Sequence, residues 1–211
     1  MALRVKGTHW GRIALGAVAV LCLVAAAAPR GWLPLSHIPG VYSLPERWTE
    51  ARAGWLYRSG QIPPSDVEQV LRAEKIDVIL DLTDAAPDKT QDAERAAAEK
   101  LGIQYLHLPV QHPRERVIEN LANAVVEIDR AHKRGEKVWV HCTYGHRRSA
   151  TAIALYARLI EHEPKHVAFA EFTRFTDADS KWSDDALKWL DKNMDAISSQ
   201  VQADLAQANA K

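Results

Sequence analysis

The residues best suited to chemistry crowd into one decapeptide, His141-Cys142-Thr143-Tyr144-Gly145-His146-Arg147-Arg148-Ser149-Ala150. A thiol followed six positions later by a guanidinium, with a hydroxyl beside it, can do nucleophilic chemistry on an anion. Cys142 is the lone cysteine of residues 31–211. The other, Cys22, lies in an apolar run, so the two make no disulfide framework. The decapeptide separates Val138–His141 (VWVH), a strand pattern, from Ser149–Ile160 (SATAIALYARLI), a mostly apolar helix pattern. Backbone N–H groups at such a junction have no acceptor inside the helix. They can converge on one anion, and the helix dipole favours negative charge there. The same field lowers the pKa of Cys142 and makes its thiolate available near neutral pH. Gly145 lets the backbone curl without a Cβ clash. Arg148 can hold two oxygens of a phosphate with its planar fork. Ser149 is placed to donate a hydrogen bond to the sulfur. A phosphate would thus be cradled by Thr143, Tyr144, Gly145, His146, Arg147 and Arg148. His146 and Arg147 add basic charge at the mouth, either as a solvated pair or to select highly anionic substrates. A metal site at His141, Cys142 and His146 lacks a second pair of ligands nearby, and a lone Cys after a strand is ordinarily a small buried hydrophobe. Gly145, Arg148 and Ser149 at these spacings favour the nucleophile.

Together His141, Cys142, Gly145, Arg148 and Ser149 match H-C-x-x-G-x-x-R-S, which resembles the signature of the protein tyrosine phosphatase superfamily. Leu56-Tyr57-Arg58-Ser59-Gly60-Gln61, the run Asp77–Leu82 and Leu106-His107-Leu108-Pro109-Val110 are similar to its compact dual-specificity-type branch. Sulfur-transfer domains also cradle an anion at a Cys, usually in a shorter loop, so the C-x5-R spacing favours phosphate. The resemblance implies a two-step reaction without metal or other cofactor. Cys142 attacks phosphorus, water hydrolyses the cysteinyl-phosphate, and the loop amides and Arg148 hold the oxygens throughout. Ser149 eases departure of the sulfur, and His141 supports the loop through hydrogen bonds.

The pattern departs from the family in one place. The family's Asp general acid belongs about thirty residues before the Cys. Here that loop reads Pro109-Val110-Gln111-His112-Pro113, and His112 takes the slot. A histidine can serve if its pKa stays near or above its ordinary value. The alternative acids are Glu115 and Asp84, Asp81 could also face the site, and a site with no acid is the remaining possibility. Arg58 is open between a structural ion pair and a substrate ligand.

The elements that must position these residues alternate between strand and helix. Strand patterns fall at Trp55–Arg58, Asp77–Leu82, Ile103–Leu108 and Val138–His141. Helix patterns fall at 65–74, opened by a Ser65–Glu68 capping box, then at 88–101, 114–133, 149–160, 165–176 and 183–194. The expected fold class is α/β: a mostly parallel central sheet flanked by helices, with the Cys-x5-Arg phosphate loop between a strand and a helix. Such sheets bind ligands at the carboxyl ends of their strands.

Apolar residues at 47% and charged residues at 26% are the balance of a folded globular protein, which excludes wholesale disorder or coiled coil. The net charge of zero divides unevenly. Residues 1–30 hold Arg4, Lys6, Arg12, Arg30 and no acid, leaving 23 basic and 27 acidic groups in residues 31–211. A mildly acidic body argues against nucleic acid as a partner. Residues 13–28 form an uncharged apolar run with three basic residues before it and one just after. Residues 1–30 thus read as a signal peptide or membrane anchor, with the body exported to the non-cytoplasmic, in a bacterium periplasmic, side. Pro- and Gly-rich residues 31–53 read as a linker, and residues 54–211 as the phosphatase domain. The expected partners are a phosphorylated protein, through phosphotyrosine or dual specificity, or alternatively a phosphoinositide or phospholipid headgroup. A reading from another class is a non-catalytic, membrane-tethered phosphate-binding module.

Overall fold

Each strand is four residues long, and the three central ones are buried on both faces, so they hold almost nothing but Val, Ile, Leu and aromatic side chains until their last residues. The computed structural model describes residues 44–84, 86, 88–110, 115–175 and 181–209. The chain divides into Met1–Val41 and Tyr42–Lys211, and all described residues belong to the second unit. Its elements run β1 (Thr49–Arg52), β2 (Leu56–Ser59), α1 (Val67–Glu74), β3 (Val78–Asp81), α2 (Lys89–Leu101), β4 (Gln104–His107), α3 (Glu115–Arg134), β5 (Val138–His141), α4 (Arg148–Leu159), α5 (Lys165–Phe175) and α6 (Lys181–Asn209). The sheet order is β1-β2-β5-β3-β4, with β1 antiparallel to β2 and all other pairs parallel. This is the expected α/β architecture.

Side-chain alternation splits the core into two layers. Val138 and Val140 of β5 pack with Leu121 and Val125 of α3, Ile153 of α4, and Leu190 and Ile197 of α6. Trp139 points the other way, to Val70 and Leu71 of α1 and Ala97 and Ala98 of α2. Strand register then aligns the polar last residues. Ser59 and Asp81 both pair with His141, and His107 pairs with Asp81. One row of chemistry-bearing residues therefore lies along the carboxyl edge of the sheet, where the loop at 142–147 leaves it.

Three local readings change. Ser65 does not cap α1. Its hydroxyl donates to Asp66 Oδ1 at 2.9 Å, and Asp66 takes the N-cap position without a side-chain bond. The capping box belongs to α2, where Asp88 Oδ1 accepts from the N–H groups of Thr90 and Gln91, and Gln91 Oε1 accepts from the Asp88 N–H. The last helix extends well beyond residue 194, because no Gly or Pro follows and Leu190, Ile197 and Val201 stay buried. The segment read as a linker contributes β1, and Trp48 stacks on Tyr57 with ring centroids 5.4 Å apart. Its Pro and Gly content hid the strand. Residues 1–30, which carry the signal or anchor reading, lie outside the described residues. Among the described residues, no helix is long and apolar enough to cross a membrane.

Candidate active site

Cys142 follows β5 directly, and α4 begins at Arg148, so strand and helix fix both ends of the loop. Two contacts force its curl. Gly145 has φ +66°, a left-handed conformation, and a Cβ there would stand 2.4 Å from Gly60 N and 2.4 Å from Ser59 C. The loop therefore lies directly against the end of β2. Its carbonyls are tied outward: Gln61 N–H donates to Thr143 O at 3.2 Å, and Arg47 Nη1 donates to Tyr144 O at 3.2 Å. In a planar trans peptide the next N–H points opposite its carbonyl, so these bonds turn the Tyr144 and Gly145 amides toward the loop interior. The β2 end is itself pinned, with Gly60 N–H donating to Glu46 O and Trp139 Nε1 donating to Ser59 Oγ at 2.7 Å.

Cys142 is 3% exposed, with its Sγ 3.7 Å from Ser149 Oγ. Burial pushes the thiol pKa up. The Ser149 N–H and hydroxyl, the Arg148 guanidinium and the His141 ring outweigh it, and the thiol lies below its ordinary range. Arg148 Nη1 donates to Leu82 O at 3.1 Å and to Asp84 Oδ1 at 2.7 Å. Both bonds use one nitrogen, which leaves the Nε–Nη2 edge for two oxygens of a tetrahedral anion. Around the mouth, Tyr144 is 66% exposed, Arg147 is exposed, and Thr143 and His146 are half-buried. With Arg47 this rim carries three basic side chains.

The other expected residues fall differently. Asp81 is buried away from the anion cradle and accepts from Thr83 N–H, Tyr105 Oη and Gln91 Nε2. Asp84, weighed as an acid, is an ion-pair partner of Arg148, and its carbonyl lies 3.1 Å from His107 Nε2. His141 does not brace the loop by hydrogen bonds. Its ring stacks on Trp139 with centroids 4.2 Å apart and faces Glu94 and Asp81. Arg58 is completely buried on β2, opposite Val140. His112 lies outside the described residues. Glu115 opens α3, and the contacts of its side chain lie outside them too.

Glu94 and Arg47 were missed by sequence reasoning. The signal for Glu94 was present: Gln91, Glu94, Ala97 and Ala98 recur at three- and four-residue spacing, a buried helix face containing two polar residues. Arg47 carried no such signal, because it reaches the loop from a position 97 residues away.

Residues 60–169, just over half the chain, match the model of the family described as dual specificity phosphatase, catalytic domain. The chain belongs to this family. It is a Cys-based phosphatase of the protein tyrosine phosphatase superfamily. No curated relative matches it in sequence. Among solved structures it is similar to PTPMT1 (16% identity, TM-score 0.55, covering 78% of this chain and 99% of that one). The core catalytic domain of the PP-IP phosphatase SIW14 from S. cerevisiae has 16% identity and a TM-score of 0.55, covering 76% of this chain and 95% of that one. TpbA of P. aeruginosa has 20% identity and a TM-score of 0.54, covering 71% of this chain and 88% of that one. At these identities the likeness is one of fold.

If Asp84 positions Arg148, Asp84→Asn lowers kcat/KM about three- to tenfold, since its half-exposed position weakens the charge-assisted bond. The loss is then equal for alkyl and nitrophenyl phosphates, because only a proton donor discriminates between leaving groups. Steady-state kinetics on both esters check this, and a loss confined to the alkyl ester would make Asp84 the acid.

Proposed function

We propose that this phosphatase hydrolyses phosphomonoesters on protein, phosphotyrosine foremost, with dual-specificity breadth. The match to the dual specificity phosphatase catalytic domain supports the substrate class, and the thiol of Cys142, held at the start of α4 beside Ser149 and Arg148 and lowered below its ordinary range, supports the chemistry. In the first step Cys142 Sγ bonds to phosphorus and the phosphorus–oxygen bond of the ester breaks. The leaving oxygen takes a proton, which is assigned to His112. In the second step water attacks phosphorus and gives up a proton, which returns to His112, the sulfur–phosphorus bond breaks, and the Ser149 hydroxyl donates to the departing thiolate. Arg148 and the loop amides hold the three remaining oxygens in both steps, which stabilises the charge without reorganisation. A selective loss of alkyl phosphate turnover in His112→Ala is the signature of that acid.

A second reading, a phosphoinositide or other anionic headgroup, is favoured by the rim of Arg47, His146 and Arg147. PTPMT1 has also been crystallised in complex with PI(5)P. The body is carried on the non-cytoplasmic side of a membrane, as the basic bias around residues 13–28 supports.

Turnover of phosphotyrosine and phosphoserine peptides, phosphoinositide vesicles and nitrophenyl phosphate by the full chain separates these readings. Phosphotyrosine peptides are expected to lead, with Cys142→Ser falling below about one per cent of wild-type rate and Arg148→Lys losing most activity, since an ammonium cannot replace the fork. Faster turnover of the vesicles selects the headgroup reading, and binding without turnover selects a non-catalytic module. For location, protease added to spheroplasts of an expressing bacterium is expected to remove the body while a cytoplasmic marker survives. Protection of the body would refute export.

A further inference from the structure

Phosphate chemistry leaves one buried cluster unused. His141 is fully buried, and its Nε2 lies 3.2 Å from Glu94 Oε2 on α2 and 3.8 Å from Asp81 Oδ1 on β3, both residues also fully buried. The two carboxylates are not equivalent. Asp81 accepts from the Thr83 N–H at 2.8 Å, from Tyr105 Oη at 2.7 Å and from Gln91 Nε2 at 3.2 Å. Glu94 has no conventional hydrogen bond among the described residues, and the His141 ring is the one cation it can pair with there. Burying an ionised carboxylate costs several kcal/mol unless a charge compensates it. A neutral imidazole would leave two carboxylates facing each other with no cation between them.

We propose that Glu94 is a positioning residue for the nucleophile: with Asp81 it keeps His141 as an imidazolium cation, whose fixed charge one residue from Cys142 favours the thiolate. This rests on Cys142 being the nucleophile. The groups facing the ring are Glu94 from α2, Asp81 from β3, and Trp139 and Cys142 on either side of it in sequence. From β4, Tyr105 bonds to Asp81, and His107 Nε2 lies 3.8 Å from Asp81 Oδ2. From β2 the residue in register is Ser59, which carries no charge. Burial alone would strip the proton from His141, but Glu94, Asp81 and the Cys142 thiolate outweigh it and hold the ring at a pKa of about 9. The stack on Trp139 leaves the edge of the ring, where the nitrogens lie, to meet the carboxylates. The same three groups would suit a divalent cation, but a metal demands a deprotonated ring nitrogen. Ring protonation therefore separates the two arrangements.

The test uses the full chain carrying Cys22→Ser in detergent. ¹⁵N NMR of the His141 ring through a pH titration is combined with the site-resolved rate of Cys142 alkylation by iodoacetamide against pH. In the wild-type context both ring nitrogens are expected to stay protonated from about pH 6 to about pH 8, past the ordinary histidine value. In Glu94→Gln the ring titrates about one unit lower or more. The alkylation midpoint of Cys142 then rises by about half a unit, which is about threefold less thiolate below the midpoint. Asp92→Asn, on the exposed side of the same helix, leaves both unchanged. A neutral ring in the wild-type context, an unchanged or lowered alkylation midpoint in Glu94→Gln, or stoichiometric Zn²⁺ uptake that deprotonates the ring would each overturn the proposal. Should Glu94→Gln fail to fold, ring protonation in the unaltered sequence still decides. Alkylation needs no phosphate ester, so failure here is distinguishable from a failure of the phosphatase reading.

Discussion

A thiolate on a nearly buried side chain is the constraint to which the rest of the fold answers. Burial of Cys142 opposes its ionisation, so the charge must be met by fixed dipoles and cations within a few ångströms. A strand running straight into a loop and then into a buried helix supplies the dipoles, because the first amides of α4 have no helical acceptor. Arg148 and Ser149 belong to the first turn of that helix and arrive with it. The chain must then hold the six residues 142–147 of irregular backbone in one shape, and it does so by contact with β2. Gly145 and Gly60 permit the approach, while Glu46, Arg47 and Gln61 take up the outward polar groups. The short antiparallel β1 is best understood as part of this brace, since the segment leading into it carries Glu46, Arg47 and the Trp48 that covers Tyr57 and Trp139.

Parallel pairing explains why the carboxyl edge became the active edge. In register, the polar last residues of β2, β3, β4 and β5 (Ser59, Asp81, His107 and His141) stand side by side. The face of the sheet toward α3 and α4 carries Cys142. On the other face a connected set of Asp81, Thr83, Gln91, Tyr105 and His107 runs beneath the loop that bears Asp84. Asp84 in turn holds one nitrogen of Arg148. Arg148, proposed above to hold the phosphate, is thus tied to the polar row at the strand ends through Asp84.

Much of this was legible in the sequence because the information is local. The DVILDL and VWVH runs declare buried strands, and the Ala-rich stretch after Asp88 declares a helix. Cys142, Gly145, Arg148 and Ser149 declare the loop through spacing alone. What was not legible depends on distance. Arg47 meets Tyr144 only after the chain has crossed the sheet, and β1 is a strand only because β2 pairs with it. Ser65 and Glu68 fit a capping box by pattern, yet the neighbouring Asp66 claimed the hydroxyl. His141 was read as a loop brace, whereas strand alternation sends its ring back beside Trp139 toward Glu94. Asp84 was weighed only as an alternative acid, because sequence position says nothing of the Arg148 guanidinium that meets it.

The central claim is that phosphorus passes through the sulfur of Cys142. The direct measurement is a rapid acid quench of the enzyme turning over nitrophenyl phosphate, followed by mass spectrometry of the proteolysed chain. One phosphoryl group is expected, bound to the peptide containing Cys142, formed within the first turnover and absent when Cys142→Ser is treated in the same way. Full turnover with no phosphorylated cysteine at any quench time, or with the phosphoryl group on another residue, would contradict it.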